Sequence, residues 1–206
     1  MPRRRATSYD SKLVHIRDTA AALFARDGFS RTSMAELASE CGVSKALLYH
    51  YFDSKEALLF DILRAYLENL ETVVSIDLAA SATPRDHLRA LIGALLGQYR
   101  QAGNTHKLLT FDLPVLPTSQ QDTLRQIERR IMARFETALA DAAGEAGRSP
   151  TIDGPRTMML FGTLNWTYTW FRETGPMTLD AYCDLVTDST IKSLSVSYTH
   201  LRAHET

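Results

Sequence analysis

Thr32–Leu59 reads TSMAELASECGVSKALLYHYFDSKEALL. Ser33 and Glu36 have the spacing of a capping box, so a short helix is expected over Ser33–Glu40. Cys41-Gly42-Val43 is a three-residue turn. Ser44 then caps a second short helix, Lys45–Phe52. Two short helices that cross steeply need a small residue where their backbones meet, and Ala38 supplies it. They need a turn residue that tolerates positive φ, and Gly42 supplies it. Leu37, Val43, Leu48 and Phe52 are spaced to anchor both helices in one core. This is a helix-turn-helix, whose second helix is set at an angle that lets it enter a major groove. The face that helix would present carries Lys45, Ala46, Leu47, Tyr49 and His50.

Outward from this stretch the helical period continues and strand signals are nearly absent. Leu13, Ile16, Ala20, Leu23 and Phe24 form one stripe, ended by Gly28 at a C′ position. Asp53 and Glu56 open a further helix with the stripe Leu59, Ile62, Leu63, Tyr66, Leu67 and Leu70. Thr83-Pro84 is an N-cap followed by proline in the first helical position, opening a helix to about Gln101. A short helix is expected over Thr105–Leu113, stopped by Pro114 and Pro117. Thr118 and Gln121 box the start of a long helix to about Ala143. Gly144–Gly154 reads as a loop, and Pro155–Thr174 and Leu179–Leu194 as the last two helices. The expected fold is all-α with about nine helices. An N-terminal three-helix helix-turn-helix domain spans 1–56 and a larger helical ligand-binding and dimerisation domain spans 57–195. Residues 196–206, VSYTHLRAHET, abandon the helical period and resemble a translated sequencing-adapter scar, so they stay out of the fold reading.

The chain has 206 residues and 45% hydrophobic residues, enough to bury a core. Its formal net charge is −1, but the charge is unevenly spread. Residues 1–55 hold nine Lys/Arg and six Asp/Glu, a balance of +3, which leaves −4 for the remainder. A mildly basic head on an acidic body suits a small nucleic-acid module on a body that does not bind it. Two distant cysteines, Cys41 and Cys183, argue against a disulfide framework or a zinc site. No signal peptide and no apolar run of membrane-spanning length is present, so a cytoplasmic location at the bacterial nucleoid and no membrane partner are expected. No cofactor and no metal are expected. GxSxG, P-loop and HExxH patterns are absent, which leaves an enzyme without a recognisable constellation.

The head residues suit a duplex. Ser44, Lys45, Tyr49, His50 and Lys55 carry donors for phosphate oxygens. Lys45 has the reach for guanine O6/N7, and Ala46 or Leu47 can touch a thymine methyl. Arg3-Arg4-Arg5 reads as a flexible basic arm for a neighbouring minor groove. Taken singly, Lys45 and Lys55 would be solvated surface lysines; the motif around them tips the reading. Leu37, Leu48 and Phe52 read as core, and Cys41 as a small buried apolar side chain.

Leu13–Phe60 resembles the TetR/AcrR regulators, whose head ends in a pattern like G-V-S-x-x-x-L-Y-x-[HY]-F-x-x-K-E-x-L. Gly42, Val43, Ser44, Leu48, Tyr49, Tyr51, Phe52, Lys55, Glu56 and Leu58 stand in those places. The resemblance implies phosphate contacts from Ser33, Ser44, Tyr49, Tyr51 and Lys55. It also implies that Lys45, Ala46, Leu47 and His50 lie at or near base edges. Ala46 replaces a frequent glycine and Leu47 a frequently polar residue, so reading at 47 must rest on methyl contact or shape.

The same resemblance extends to a homodimer formed by the last two helices, reading a pseudo-palindromic double-stranded operator. Helix 155–174 is apolar on both sides, with Met159, Trp166 and Trp170 on one face and Phe161, Leu164 and Tyr168 on the other; both must be covered. Tyr99, His106, Phe111, Arg130, Asn165, Trp166 and Tyr168 are the candidate lining of an effector pocket, because an apolar pocket needs a few polar groups to orient a ligand. The effector class expected is an aromatic or acyl-CoA metabolite. The function expected is ligand-responsive repression. A transcriptional activator of the same family and a helical interaction module without DNA binding are the alternatives.

Overall fold

The computed structural model describes residues 3–75, 83–147 and 152–201. Among them lie nine α-helices of seven residues or more and one single-turn helix: α1 Arg3–Asp27, α2 Met34–Glu40, α3 Lys45–Tyr51, α4 Lys55–Val73, α5 Pro84–Gln101, α6 Gly103–Phe111, α7 Thr118–Gly147, α8 Asp153–Asn165, the short α9 Thr167–Trp170, and α10 Leu179–Leu201. Two 3-10 turns, Phe29–Arg31 and Leu113–Val115, complete the order, and no strand occurs among the described residues.

Packing divides the chain into two units. The first comprises Met1–Asn69 and Ala102–Ile127, the second Leu70–Gln101 and Glu128–Thr206. Both divisions inside helices, after Asn69 and after Ile127, fall within continuous α4 and α7.

In the first unit α1 packs on α2 and α6, and α2 on α3. Ile16, Leu37, Leu48, Leu58, Leu59 and Leu63 are fully enclosed there. Burial of this kind of side chain contributes about 1.5–3 kcal/mol each. Arg17 on α1 reaches Asp61 on α4 at 2.7 Å, and Asp61 also accepts from Arg64. Lys107 on α6 donates to the Ala25 carbonyl at the C-terminal end of α1, where a cation is favoured.

In the second unit α10 lies along α5. Arg85 and Arg89 on α5 meet Asp180, Asp184 and Asp188 on α10 in an ion ladder with one rung per helical turn. Leu88, Leu91, Ile92 and Leu95 seal the apolar side of α5.

Several boundaries depart from expectation. Arg3-Arg4-Arg5 belong to α1 rather than to a flexible arm; no breaker follows Pro2 until Gly28, and Arg and Ala favour helix. Ser54, not Asp53, caps α4, accepting from the Ala57 N–H. The α5 start is as expected, with Thr83 and Asp86 exchanging bonds. α6 ends at Phe111, earlier than expected, and Pro114 sits in a 3-10 turn; the residue before a proline avoids the α region. Pro117, not Thr118, heads α7, and Gln121 turns back to the Pro114 and Leu116 carbonyls. α7 passes Ala143 to Gly147, with a kink at Gly144. The expected helix 155–174 breaks at Trp166. There Thr163, Thr167 and Thr169 return their hydroxyls to main-chain carbonyls. α10 runs on to Leu201, into the stretch read as leaving the helical period; residues 202–206 lie outside the described residues.

Candidate nucleic-acid interface and effector residues

α2 is fixed by a complete capping box. Ser33 Oγ accepts from the Glu36 N–H, and Glu36 accepts from the Ser33 N–H at 2.8 Å. Hydrogen bonds from the Ser33 main-chain N–H and then the Ser33 side chain hold the Glu36 carboxyl below the usual glutamate range. Gly42 turns the chain with φ +65°, and the Val43 N–H closes on the Ala38 carbonyl at 2.9 Å. Ala38 is buried at this crossing, as is Cys41. Burial pushes the Cys41 thiol up, which makes it an inert packing group.

Ser44 Oγ then accepts from the Leu47 N–H and starts α3. A hydroxyl that accepts still has its own O–H to donate, so Ser44 combines cap and donor. Along α3 the alternation is clean. Leu48 is fully buried and Phe52 buried, while Lys45, Ala46, Tyr49 and His50 are exposed, Tyr49 by 44%. Leu47 and Tyr51 are half-buried. Lys45 Nζ stands 5.9 Å above the Tyr49 ring, a cation–π contact that holds both side chains on one face. Val43, expected as an anchor, is only half-buried.

Lys55 departs from the expected set. Its Nζ donates to the carbonyls of Phe29 at 3.1 Å, Ser30 at 3.2 Å and Thr32 at 3.3 Å. It also lies 4.6 Å above the Phe29 ring. An ammonium has three N–H donors, and all three are spent on main chain. No spacing rule links position 55 to 29–32, so the sequence carried no signal for this tether.

The candidate effector residues are not gathered in one unit. His106 and Phe111 belong to the first and the other five to the second. His106 is buried, with Nδ1 3.3 Å from the Tyr66 hydroxyl of α4. Phe111 is 55% exposed. In the second unit Tyr99 donates to Asn165 Oδ1 at 2.6 Å. Burial, and then the charge of Glu128, push the Tyr99 phenol up, so it stays a neutral donor. Arg130 grips Glu71 with two bonds of 2.6 and 2.9 Å on the surface. Tyr168 is half-buried, its ring 6.3 Å from that of Trp166. Trp166 corrects the expectation of an inward pocket residue. It is 57% exposed on an open apolar groove between α8 and α10, with Met159, Trp170 and Leu185.

Among the described residues no helix is long and apolar enough to cross a membrane. No group of three His, Cys, Asp or Glu side chains there is placed to hold a metal.

Comparison with known proteins covers both parts of the chain. Residues 16–62 match "Bacterial regulatory proteins, tetR family", and residues 81–194 match "Tetracyclin repressor-like, C-terminal domain". The YerO transcriptional regulator of Bacillus subtilis is 35% identical over 115 residues, 54% of this chain and 39% of that protein. The chain matches less than two fifths of the length of the first such relatives. A TetR-family regulator from Bordetella parapertussis superposes with a TM-score of 0.78 at 32% identity, covering 92% of this chain and 95% of that one. AibR in complex with isovaleryl coenzyme A and operator DNA superposes with a TM-score of 0.70 at 24% identity, covering 88% and 97%. These relatives are regulators rather than enzymes.

Proposed function

The chain belongs to the TetR family of bacterial regulatory proteins, and from that premise we propose that it is a ligand-responsive repressor binding a pseudo-palindromic operator as a homodimer. One observation carries the reading: α3 turns Lys45, Ala46, Tyr49 and His50 outward while Leu48 and Phe52 root it in the core. Ser33, Ser44, Tyr49 and Tyr51 fix register on phosphates, Lys45 and His50 reach base edges, and Ala46 and Leu47 meet methyl groups.

The outward face of α8 and α10 supports the dimer. Met159 (71% exposed), Trp166, Trp170 (51%) and Leu185 (49%) form an apolar surface, and exposed patches of this kind mark interaction sites. An isologous pair then reads two half-sites about 34–36 Å apart. An acyl-CoA thioester is the favoured effector class, supported by AibR, solved with isovaleryl coenzyme A and operator DNA. The effector releases DNA only by binding the non-operator state more tightly. The protein acts in the bacterial cytoplasm.

The test is a gel shift with the DNA flanking the gene at 50–100 mM salt. A retarded, dimer-sized complex is expected. Lys45→Ala is expected to weaken it about 10-fold or more, the order of a lost base or phosphate contact of ~1–3 kcal/mol. Failure of the wild-type protein to shift any duplex at low salt would sink the reading.

A further inference from the structure

Lys55 is the first residue of α4, and its ammonium closes on three carbonyls at 29, 30 and 32. Those carbonyls belong to the 3-10 turn Phe29–Arg31 and to Thr32, which caps it, the segment that carries α1 into α2. The Phe29 carbonyl also takes the Thr32 N–H at 3.3 Å, while main-chain carbonyls past the end of a helical turn have no intrahelical donor, and a cation is favoured there. The turn is held from other sides as well. Thr32 Oγ1 donates to the Gly28 carbonyl at 3.0 Å. Phe29, under the Lys55 ammonium, is buried against Phe24 with ring centroids 5.0 Å apart. Thr32 leads directly into Ser33, the cap of α2, and α2 packs on α3.

We infer that Lys55 serves DNA binding as a positioning residue, through these carbonyls, and not as a phosphate ligand. The inference rests on the proposal that α3 reads DNA. Lys55 sets the Phe29–Thr32 turn against the start of α4, and so sets where the α2–α3 pair stands. A small ammonium suits three converging carbonyls. A guanidinium is a planar fork that matches a phosphate but not this cluster. Arginine therefore separates the two roles, since it preserves a phosphate contact and loses this one.

The experiment uses the full chain and a 30-base-pair duplex recovered by the wild-type protein from a random pool. Affinity is measured by fluorescence anisotropy from 50 to 300 mM KCl for wild type, Lys55→Met and Lys55→Arg. Measurements are made well below the melting temperature of each, with circular dichroism confirming the fold. Both variants are expected to lose about 10-fold or more in affinity with the salt slope unchanged, and amide exchange at residues 30–33 is expected to quicken. A phosphate ligand would instead lower the slope in Lys55→Met by about 0.9 per subunit and leave Lys55→Arg close to wild type; either result overturns the inference. Unchanged affinity in a folded Lys55→Met overturns it too, because positioning would then be idle. Should Lys55→Met not fold, Lys55→Arg and wild-type amide exchange decide: rapid exchange at 30–33 in the wild type refutes the tether. A wild-type protein that recovers no duplex refutes the proposed function, and the inference with it.

Discussion

At position 42 the side chain is absent for a reason of backbone shape rather than space. Gly42 has φ +65°, yet a Cβ built there meets nothing within 4 Å. Any cost of a side chain is therefore conformational. Gly42→Val should destabilise the first unit by about 1–2 kcal/mol, and Gly42→Asn by less, because asparagine tolerates the left-handed region. Thermal melts of the two variants check this, and equal losses would refute the argument. Leu48 and Tyr49 show the same economy one turn later. Adjacent in sequence, one is wholly enclosed and the other 44% exposed. That alternation was legible from the 3.6-residue period alone. The role of Lys55 was not, because its partners lie 23 to 26 positions away in the chain.

Elements in this protein are delimited mainly by their caps. Ser33→Ala removes the hydroxyl that holds the Glu36 N–H and should cost about 1 kcal/mol, read as a lowered urea midpoint with unchanged slope. The reciprocal half of the box depends on ionisation. Glu36 is held below its usual range by Ser33. A depressed carboxylate contributes stability above its unfolded value and loses it as pH falls towards the folded one. Acidification below the ordinary glutamate value should thus erode the wild type more than Glu36→Gln in parallel melts. Caps built from neighbours three residues apart were readable in advance at Ser33, Ser44 and Thr83. The box expected at Thr118 is not formed, because Gln121 Nε2 donates to the Leu116 carbonyl and its Oε1 accepts from Arg125 instead. The break at Trp166 carries no glycine or proline, and the threonine back-bonds beside it recur at Thr123, Thr137 and Thr187 inside unbroken helices, so nothing in the sequence marks it. The ladder between α5 and α10 had a signal that passed unused: arginines at 85 and 89 and aspartates at 180, 184 and 188 repeat every four residues.

For the whole molecule, the apolar groove on α8 and α10 is the feature with most at stake. Met159→Glu combined with Leu185→Glu puts a charge on each helix of that surface. The expected outcome is a monomer in analytical ultracentrifugation with unchanged helicity, and loss of most operator affinity because a single half-site remains. A double variant that still sediments as a dimer would place the interface elsewhere. The effector residues remain the least legible part. Residue type alone nominates aromatic and polar side chains, but Arg130 is engaged with Glu71 and Trp166 faces out. Side-chain type fixes what a residue can bind, while direction depends on which face of its helix the residue occupies.

The junctions after Asn69 and Ile127 run through unbroken helix, and helix is an angular code as well as a length. One residue added at either point shifts the register of the rest of that helix by about 100° and about 1.5 Å. Chimeras that exchange heads between relatives must therefore be spliced in phase, like threads on a screw. Insertions that a floppy connector would absorb become shifts of helical register here.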